Sequence, residues 1–318
     1  MISGGLGFIG SNLAHRLVSL GARVRIVDAA LPETGANSFN LQGIIESVEL
    51  QIADLRDTGV VKDMILGQDY LFNLAGLVSH VDSMRSPQDD LEVNAACQLS
   101  IVEACRKYNQ SIKVVYAGTR QVYGRSRYLP VNENHLIDPV DYNGVTKRAG
   151  EMYHIVGQRV YGLHAVSLRM TNTYGPRMHC NDGRLTFLGD WIRRLFDGQP
   201  LEIYGTGEQV RDLNYVDDVV DALLLAHSNE ELAGQIYNLG SPEPIRLLDL
   251  ANLMIEIFGS GSYKLCLFPP ERLRIDIGNY QGDYSKIRAE LGWQPNVSLR
   301  DGLTRTFEYY RQHHGHYW

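Results

Sequence analysis

The residues most suited to chemistry stand at the very start of the chain. Ser3-Gly4-Gly5-Leu6-Gly7-Phe8-Ile9-Gly10 fits both G-x-x-G-x-x-G and G-x-G-x-x-G. Glycines at this spacing let a backbone turn tightly and approach a pyrophosphate. The helix that follows would point its free N–H groups and dipole at the phosphates. Asp28 ends the next strand-like run, Val24-Arg25-Ile26-Val27-Asp28. A carboxylate there accepts hydrogen bonds from the ribose hydroxyls of an adenosine and repels a 2′-phosphate. Ala29 and Ala30 follow it, with no arginine to receive such a phosphate, so the pattern favours NAD over NADP.

Other reactive side chains carry less. Cys97, Cys105, Cys180 and Cys266 form no CxxC pair and read as reduced thiols of a cytoplasmic protein. His313, His314 and His316 lie in a terminal segment without other ligand types, so a frayed tail is expected and no metal.

The elements that position the glycine turn follow from the hydrophobic pattern. Strands are expected at Val24–Asp28, Val48–Ile52, Tyr70–Leu74, Ile112–Ala117 and His164–Leu168, with helices at Ser11–Leu20, Asp89–Tyr108 and Thr146–Tyr161. Strands separated by helices imply right-handed crossovers and a parallel sheet covered on both faces. The second half has shorter elements and more Gly, Pro and Tyr, while Tyr215–Ala226 and Gln235–Leu239 read as a return to the first sheet. The expected class is therefore α/β: a Rossmann-type doubly wound parallel sheet from residues 1–172 and 211–240, with a smaller mixed α/β lobe from 173–210 and 241–318. A ligand site is expected in the cleft between them, at the carboxyl ends of the strands.

Composition bounds the function classes. The chain has 318 residues, 44% hydrophobic and 21% charged, enough for a full core without disulfide or metal staples. Thirty Lys and Arg against 37 Asp and Glu give a formal charge of −7, which argues against a nucleic-acid partner. No apolar run approaches the ~20 residues of a membrane span, and no signal peptide is read at the N-terminus.

Further motifs resemble the extended short-chain dehydrogenase/reductases, specifically the NAD-dependent nucleotide-sugar epimerase/dehydratase family, over nearly the whole chain. Ala53-Asp54-Leu55-Arg56-Asp57 is similar to the family's adenine-contacting turn, and Asn73-Leu74-Ala75-Gly76 to its strand end beside the nicotinamide ribose. Asn94 resembles its helix asparagine. Leu168 to Arg177 is close to the family's L-R-x-x-N-x-Y-G-P-R, Arg211 to Asp218 to its R-D-x-x-Y-V-D-D, and Tyr237 to Gly240 to its Y-N-x-G. The resemblance implies NAD contacts from Gly4, Gly7, Phe8, Ile9, Gly10, Asp28, Asp54, Leu55, Leu74, Ala75, Gly76, Asn94 and Lys147.

The resemblance also implies a reaction: hydride transfer from a sugar carbon to NAD+, usually at C4. A tyrosine base takes the hydroxyl proton, a lysine lowers its pKa, and a serine or threonine positions the hydroxyl. Thr119, in Tyr116-Ala117-Gly118-Thr119-Arg120-Gln121-Val122-Tyr123-Gly124, holds the hydroxyl position. The family's 4,6-dehydratases follow it with Asp-Glu, where this chain has Arg120 and Gln121, so dehydration is disfavoured. Counting back four from Lys147, the tyrosine slot holds Asn143, and Tyr142 stands one residue early. One residue is about 100° of helix rotation. An asparagine can hydrogen-bond a sugar hydroxyl but cannot take its proton. Three readings stay open. An irregular helix start beside Gly144 brings Tyr142 to the site; another residue, such as His80 or Tyr123, supplies the base; or the protein binds NAD and a sugar nucleotide with weak or no redox activity.

For a nucleotide-sugar substrate the resemblance implies Arg211 and Asn172 at the diphosphate, Tyr204 beside the base, and Arg272 or Arg274 as a second phosphate contact. His80, in Ser79-His80-Val81-Asp82, resembles a substrate-side loop. Relatives dimerise through the two long helices, so a homodimer is expected. An NAD-dependent C4 epimerase is the first expectation, with a dehydratase or decarboxylase, or an impaired binding protein, as alternatives. Only Met1 and Ile2 precede the glycine turn as strand, which reads as a start lying upstream or a weakened hold on the cofactor.

Overall fold

The apolar runs of the first 170 residues pair side by side, in parallel. The computed structural model describes residues 1–318 except 32, 33, 182, 228 and 229. Its sheet contains β1 (Ile2–Ser3), β2 (Val24–Asp28), β3 (Val48–Ile52), β4 (Tyr70–Asn73), β5 (Lys113–Thr119), β6 (His164–Met170) and a last strand, Ile236–Asn238. The spatial order is Ile236–Asn238, β6, β5, β4, β1, β2, β3, all parallel. Every residue of β6 is buried, as a strand covered on both faces requires. The strand order reverses between β1 and β4, and the crevice opens there.

The short β1 is held on both sides. Ile2 faces Ile26 and Phe72 across the ladder, Met1 O accepts from Phe72 N at 3.0 Å, and Ser3 Oγ donates to Asn73 Oδ1 at 2.9 Å. One face of the sheet packs Ile2, Ile26, Val166 and Leu168 with α1 (Phe8–Ser19) and the helix Val216–Leu225. The other packs Val27, Leu71 and Val114 against α2 (Thr58–Ile65) and Ile101 and Cys105 of a long helix. A further core, with Trp191, Ile203, Leu250, Met254 and Phe307, gathers residues after 173.

Helix boundaries matter more for the site. After α3 (His80–Arg85) comes α4 (Pro87–Leu91), then a π turn over Glu92–Ala96, then α5 (Cys97–Tyr108). The turn is wide because Asn94 is tied to a neighbouring loop: its Oδ1 accepts from Leu77 N at 3.0 Å and its Nδ2 donates to Leu77 O at 2.9 Å. The helix expected from Thr146 is α6, Tyr142–Tyr161, and starts four residues earlier. Asp141 caps it, its Oδ1 accepting from Gly144 N at 2.7 Å, and left-handed Gly162 ends it. Asn143 and Lys147 are thereby one turn apart on one helix face.

Behind that face His154 is buried and neutral. Its Nδ1 donates to Gly150 O at 2.9 Å, and its Nε2 accepts from Asn73 Nδ2 at 3.3 Å. Burial pushes its pKa down to about 4. A depressed folded pKa stabilises above the unfolded value of ~6.5, and that stability is lost as pH falls toward 4. Urea midpoints are expected to drop through this window, with His154 supplying ~3 kcal/mol of the fall; His154→Gln should flatten the profile.

Candidate functional site

A cavity of about 360 Å³ lies at the carboxyl ends of β1, β2, β4 and β5. It is lined by Gly4, Gly7, Phe8, Ile9, Gly10, Asp28, Asp54, Leu55, Leu74, Ala75 and Gly76. The floor admits no side chain. Gly4 has φ +75° and a Cβ there would sit 2.9 Å from Ala75 N; a Cβ on Gly10 would sit 2.3 Å from Gly4 O. Asp28 Oδ2 accepts from Leu6 N and Oδ1 from Ala30 N, both at 2.9 Å, which aims the carboxylate at the end of the turn. Burial raises its pKa and those two N–H groups oppose the rise. A bare glycine cradle before a helix N-terminus, with a fixed carboxylate beyond it, fits a dinucleotide.

Deeper in the same cavity stand Thr119, Asn143 and Lys147. Thr119 ends β5, and its Oγ1 accepts from Gln121 N at 3.2 Å, leaving the O–H as a donor. Lys147 is buried, with Nζ near Gly76 and 5.0 Å from the centre of the Tyr116 ring. Burial pushes its ammonium down to about 8, against the opposing pull of Asp90 and Glu151. One turn on, Glu151 takes Arg169 in a two-point ion pair at 2.8 and 2.9 Å, plus Ser167 Oγ at 2.9 Å, which fixes α6 to β6. Asn143 is buried, and its Nδ2 donates to Leu77 O at 2.8 Å and Asp90 Oδ2 at 3.1 Å.

Tyr142 does not join this group. It is 48% exposed and lines neither cavity, because the first turn of α6 is regular and the one-residue offset turns it away. Tyr123 is also elsewhere. It is fully buried, donates to Asn238 Oδ1 and accepts from Arg169 Nη1, each at 2.6 Å, and burial pushes it up to about 12. Asn94 lies outside the lining and acts on it through Leu77.

A second cavity of about 340 Å³ adjoins the first. His80, Arg120, Gln121 and Asn172 line both. Tyr204, Arg211, Phe268 and Arg272 line the second alone, the Arg272 guanidinium lying 5.7 Å from the Tyr204 ring centre. Arg211 is buried and bonded to Asp276 Oδ1 at 3.2 Å and to Gly278 O. Arg274 is exposed and lines neither cavity; on the short helix Pro270–Arg274, two residues' separation sends it to the opposite side from Arg272.

The first 240 residues match the description "NAD dependent epimerase/dehydratase family". The chain belongs to that family. Its cofactor is NAD. Over 98% of its length it is 30% identical to UDP-glucuronic acid decarboxylase 1 of Xenopus tropicalis, covering 72% of that protein. The solved UDP-glucose 4-epimerase of Thermotoga maritima is 31% identical, with a TM-score of 0.87 and 98% of each chain covered. The dTDP-glucose 4,6-dehydratase of Streptomyces venezuelae, solved with NAD bound, is 25% identical, with a TM-score of 0.89 and 99% and 97% covered. These epimerase/dehydratase relatives span three reactions on one fold.

Two side chains of this family member escaped the sequence reading. Asp141 accepts from Gln121 Nε2 at 2.7 Å and lies 3.0 Å from His80 Nδ1, and Asp90 ties Asn143 to Thr146. The signal for Asp141 was present: a capping residue type just ahead of a helical run. Among the described residues no group of His, Cys, Asp and Glu could hold a metal ion, and no helix is long and apolar enough to cross a membrane.

Proposed function

We propose that the protein is a nucleotide-sugar epimerase acting at C4 through a transient 4-keto sugar. NAD, when bound, supplies the hydride acceptor and donor. Thr119 positions the reacting hydroxyl, and the Lys147 ammonium holds the nicotinamide ribose and favours proton loss nearby. Arg211, Arg272 and Asn172 hold the diphosphate, with Tyr204 beside the base. One observation carries the choice of reaction. Among the described residues that line both cavities (His80, Arg120, Gln121, Asn172, Leu185 and Thr186) there is no carboxylic acid of the kind the dehydratases place after the threonine.

A second reading has its own support. Among the described residues Arg120 Nη1 is buried without a hydrogen-bond partner, while Nη2 donates to Asn172 Oδ1 at 3.0 Å. A guanidinium so placed suits a carboxylate on the sugar, and with it a decarboxylase. Incubation of the NAD-loaded protein with UDP-, GDP-, dTDP- and CDP-hexoses and hexuronates, read by mass and proton NMR, separates the readings. Epimerisation leaves the mass unchanged; loss of carbon dioxide or water overturns it in favour of decarboxylation or dehydration, and binding without product favours the impaired protein.

The assembly we propose is a homodimer through α5 and α6, in the cytoplasm, where its four free thiols fit. Val145, Val156 and Val160 are exposed along one stripe of α6, and Leu99 is exposed on α5. Val160, 63% exposed, is expected on Val160→Asp to yield monomers by light scattering, with the helical content unchanged.

A further inference from the structure

We infer that His80, held by Asp141, is the general base that takes the sugar hydroxyl proton in place of the tyrosine replaced by Asn143. The inference rests on reading the reaction as oxidation of a sugar hydroxyl. Asn143 occupies the tyrosine slot and has no basic atom, and its amide is bonded to Leu77 O and Asp90. Tyr142 faces out, and Tyr123 lies in a separate buried network. His80 lines both cavities, so its ring stands where the cofactor cleft meets the second cavity.

The loop after β4 and the N-terminus of α6 bring the pair together. Ser79 caps α3, its Oγ accepting from Asp82 N at 3.1 Å, which fixes His80 as the first helical residue. Asp141 is fully buried at its side chain, and its Oδ2 lies 3.0 Å from His80 Nδ1. That distance is within hydrogen-bond reach although the pair does not meet hydrogen-bond geometry in this structure, as is common before substrate binds. Burial alone would push Asp141 up, but His80, Gly144 N and Gln121 together hold it below the usual carboxylate range. The carboxylate thus remains ionised, holds the proton on Nδ1, and leaves Nε2 as the accepting atom. Gln121 secures Asp141 from the other side at 2.7 Å.

The hydroxyl O–H bond breaks and its proton passes to Nε2, the C–H hydrogen leaves with both electrons to the oxidised nicotinamide, and a C=O bond forms. The return adds that hydrogen and electron pair to the other face, and the imidazolium gives its proton back to the oxygen. Asp141 is a positioning residue in this scheme and is the charge in contact with His80; Arg120 lines both cavities with it, Arg184 lines the second, and Asp82 is paired with Arg184.

The test uses the NAD-loaded full chain, the nucleotide-sugar panel, and nitrogen-15 NMR of the histidine rings. His80→Gln is expected to lower kcat ~10²–10⁴-fold with NAD affinity within threefold of wild type. Asp141→Asn should release the proton from Nδ1, seen in the nitrogen-15 spectrum as a larger share of the Nε2–H tautomer, and lower kcat with it, a response that a purely structural cap would not give. Asp141→Glu should restore part of both. Tyr142→Phe is the contrast and should keep at least half of the wild-type rate. If wild type turns over and His80→Gln keeps its rate, or if the His80 tautomer ignores Asp141→Asn, the inference is overturned while the functional reading stands. If wild type converts nothing in the panel, both fall.

Discussion

Gly10→Ala is expected to remove NAD from the protein. The new Cβ would stand 2.3 Å from Gly4 O and 2.9 Å from Gly5 Cα, both backbone atoms that cannot rotate away. Relief requires the turn to open or the start of α1 to move, and both shift the N–H groups that face the pyrophosphate. Overpacking of this kind costs ~1–3 kcal/mol of stability, so the sheet survives. The affinity for NAD should fall at least ~100-fold, or about 2.7 kcal/mol. Calorimetric titration of the protein freed of cofactor checks it, with circular dichroism to show that the fold is retained. An unchanged affinity would mean that the cofactor does not rest on this turn.

Lys147→Met carries the second large effect. The side chain is buried between Asp90 and Glu151, and burial already pushes its ammonium down to about 8. Methionine keeps the apolar stem and removes the charge, which leaves the buried Asp90 without that cation and lowers stability by up to ~3–5 kcal/mol, so circular dichroism must show that the fold is retained. Turnover should fall ~10²–10⁴-fold, the range of a lost acid–base contribution. The sign of the pH effect follows from the charged form being the active one: in wild type, kcat/KM should decline as pH rises through about 8, and the variant should lack that limb. Initial rates from pH 5 to 10 give both results.

The parts legible in the sequence were those fixed by local backbone demands. Gly4, Gly7, Gly10 and Asp28 line the cofactor cavity because a tight turn and a strand end each leave a short-range signature. The five strands read from apolar runs lie in the sheet within two residues of their expected ends. The start of α6 was missed because Asn143 and Gly144 are weak helix formers, and the cap at Asp141 outweighs them. Arg272 and Arg274 could not be ordered without the register of the Pro270–Arg274 helix, which depends on packing. The His80–Asp141 contact joins a loop after β4 to a helix after β5, and a pairing between distant segments has no local pattern to announce it.

The central claim is reversible oxidation at one sugar carbon with nothing lost from the substrate. The most direct measurement supplies a nucleotide sugar carrying deuterium at C4 to the NAD-loaded protein in ordinary water. We expect the C4 epimer with unchanged mass and the deuterium retained at C4. A product that has lost carbon dioxide or water, or an epimer whose C4 label has exchanged into solvent, would contradict it.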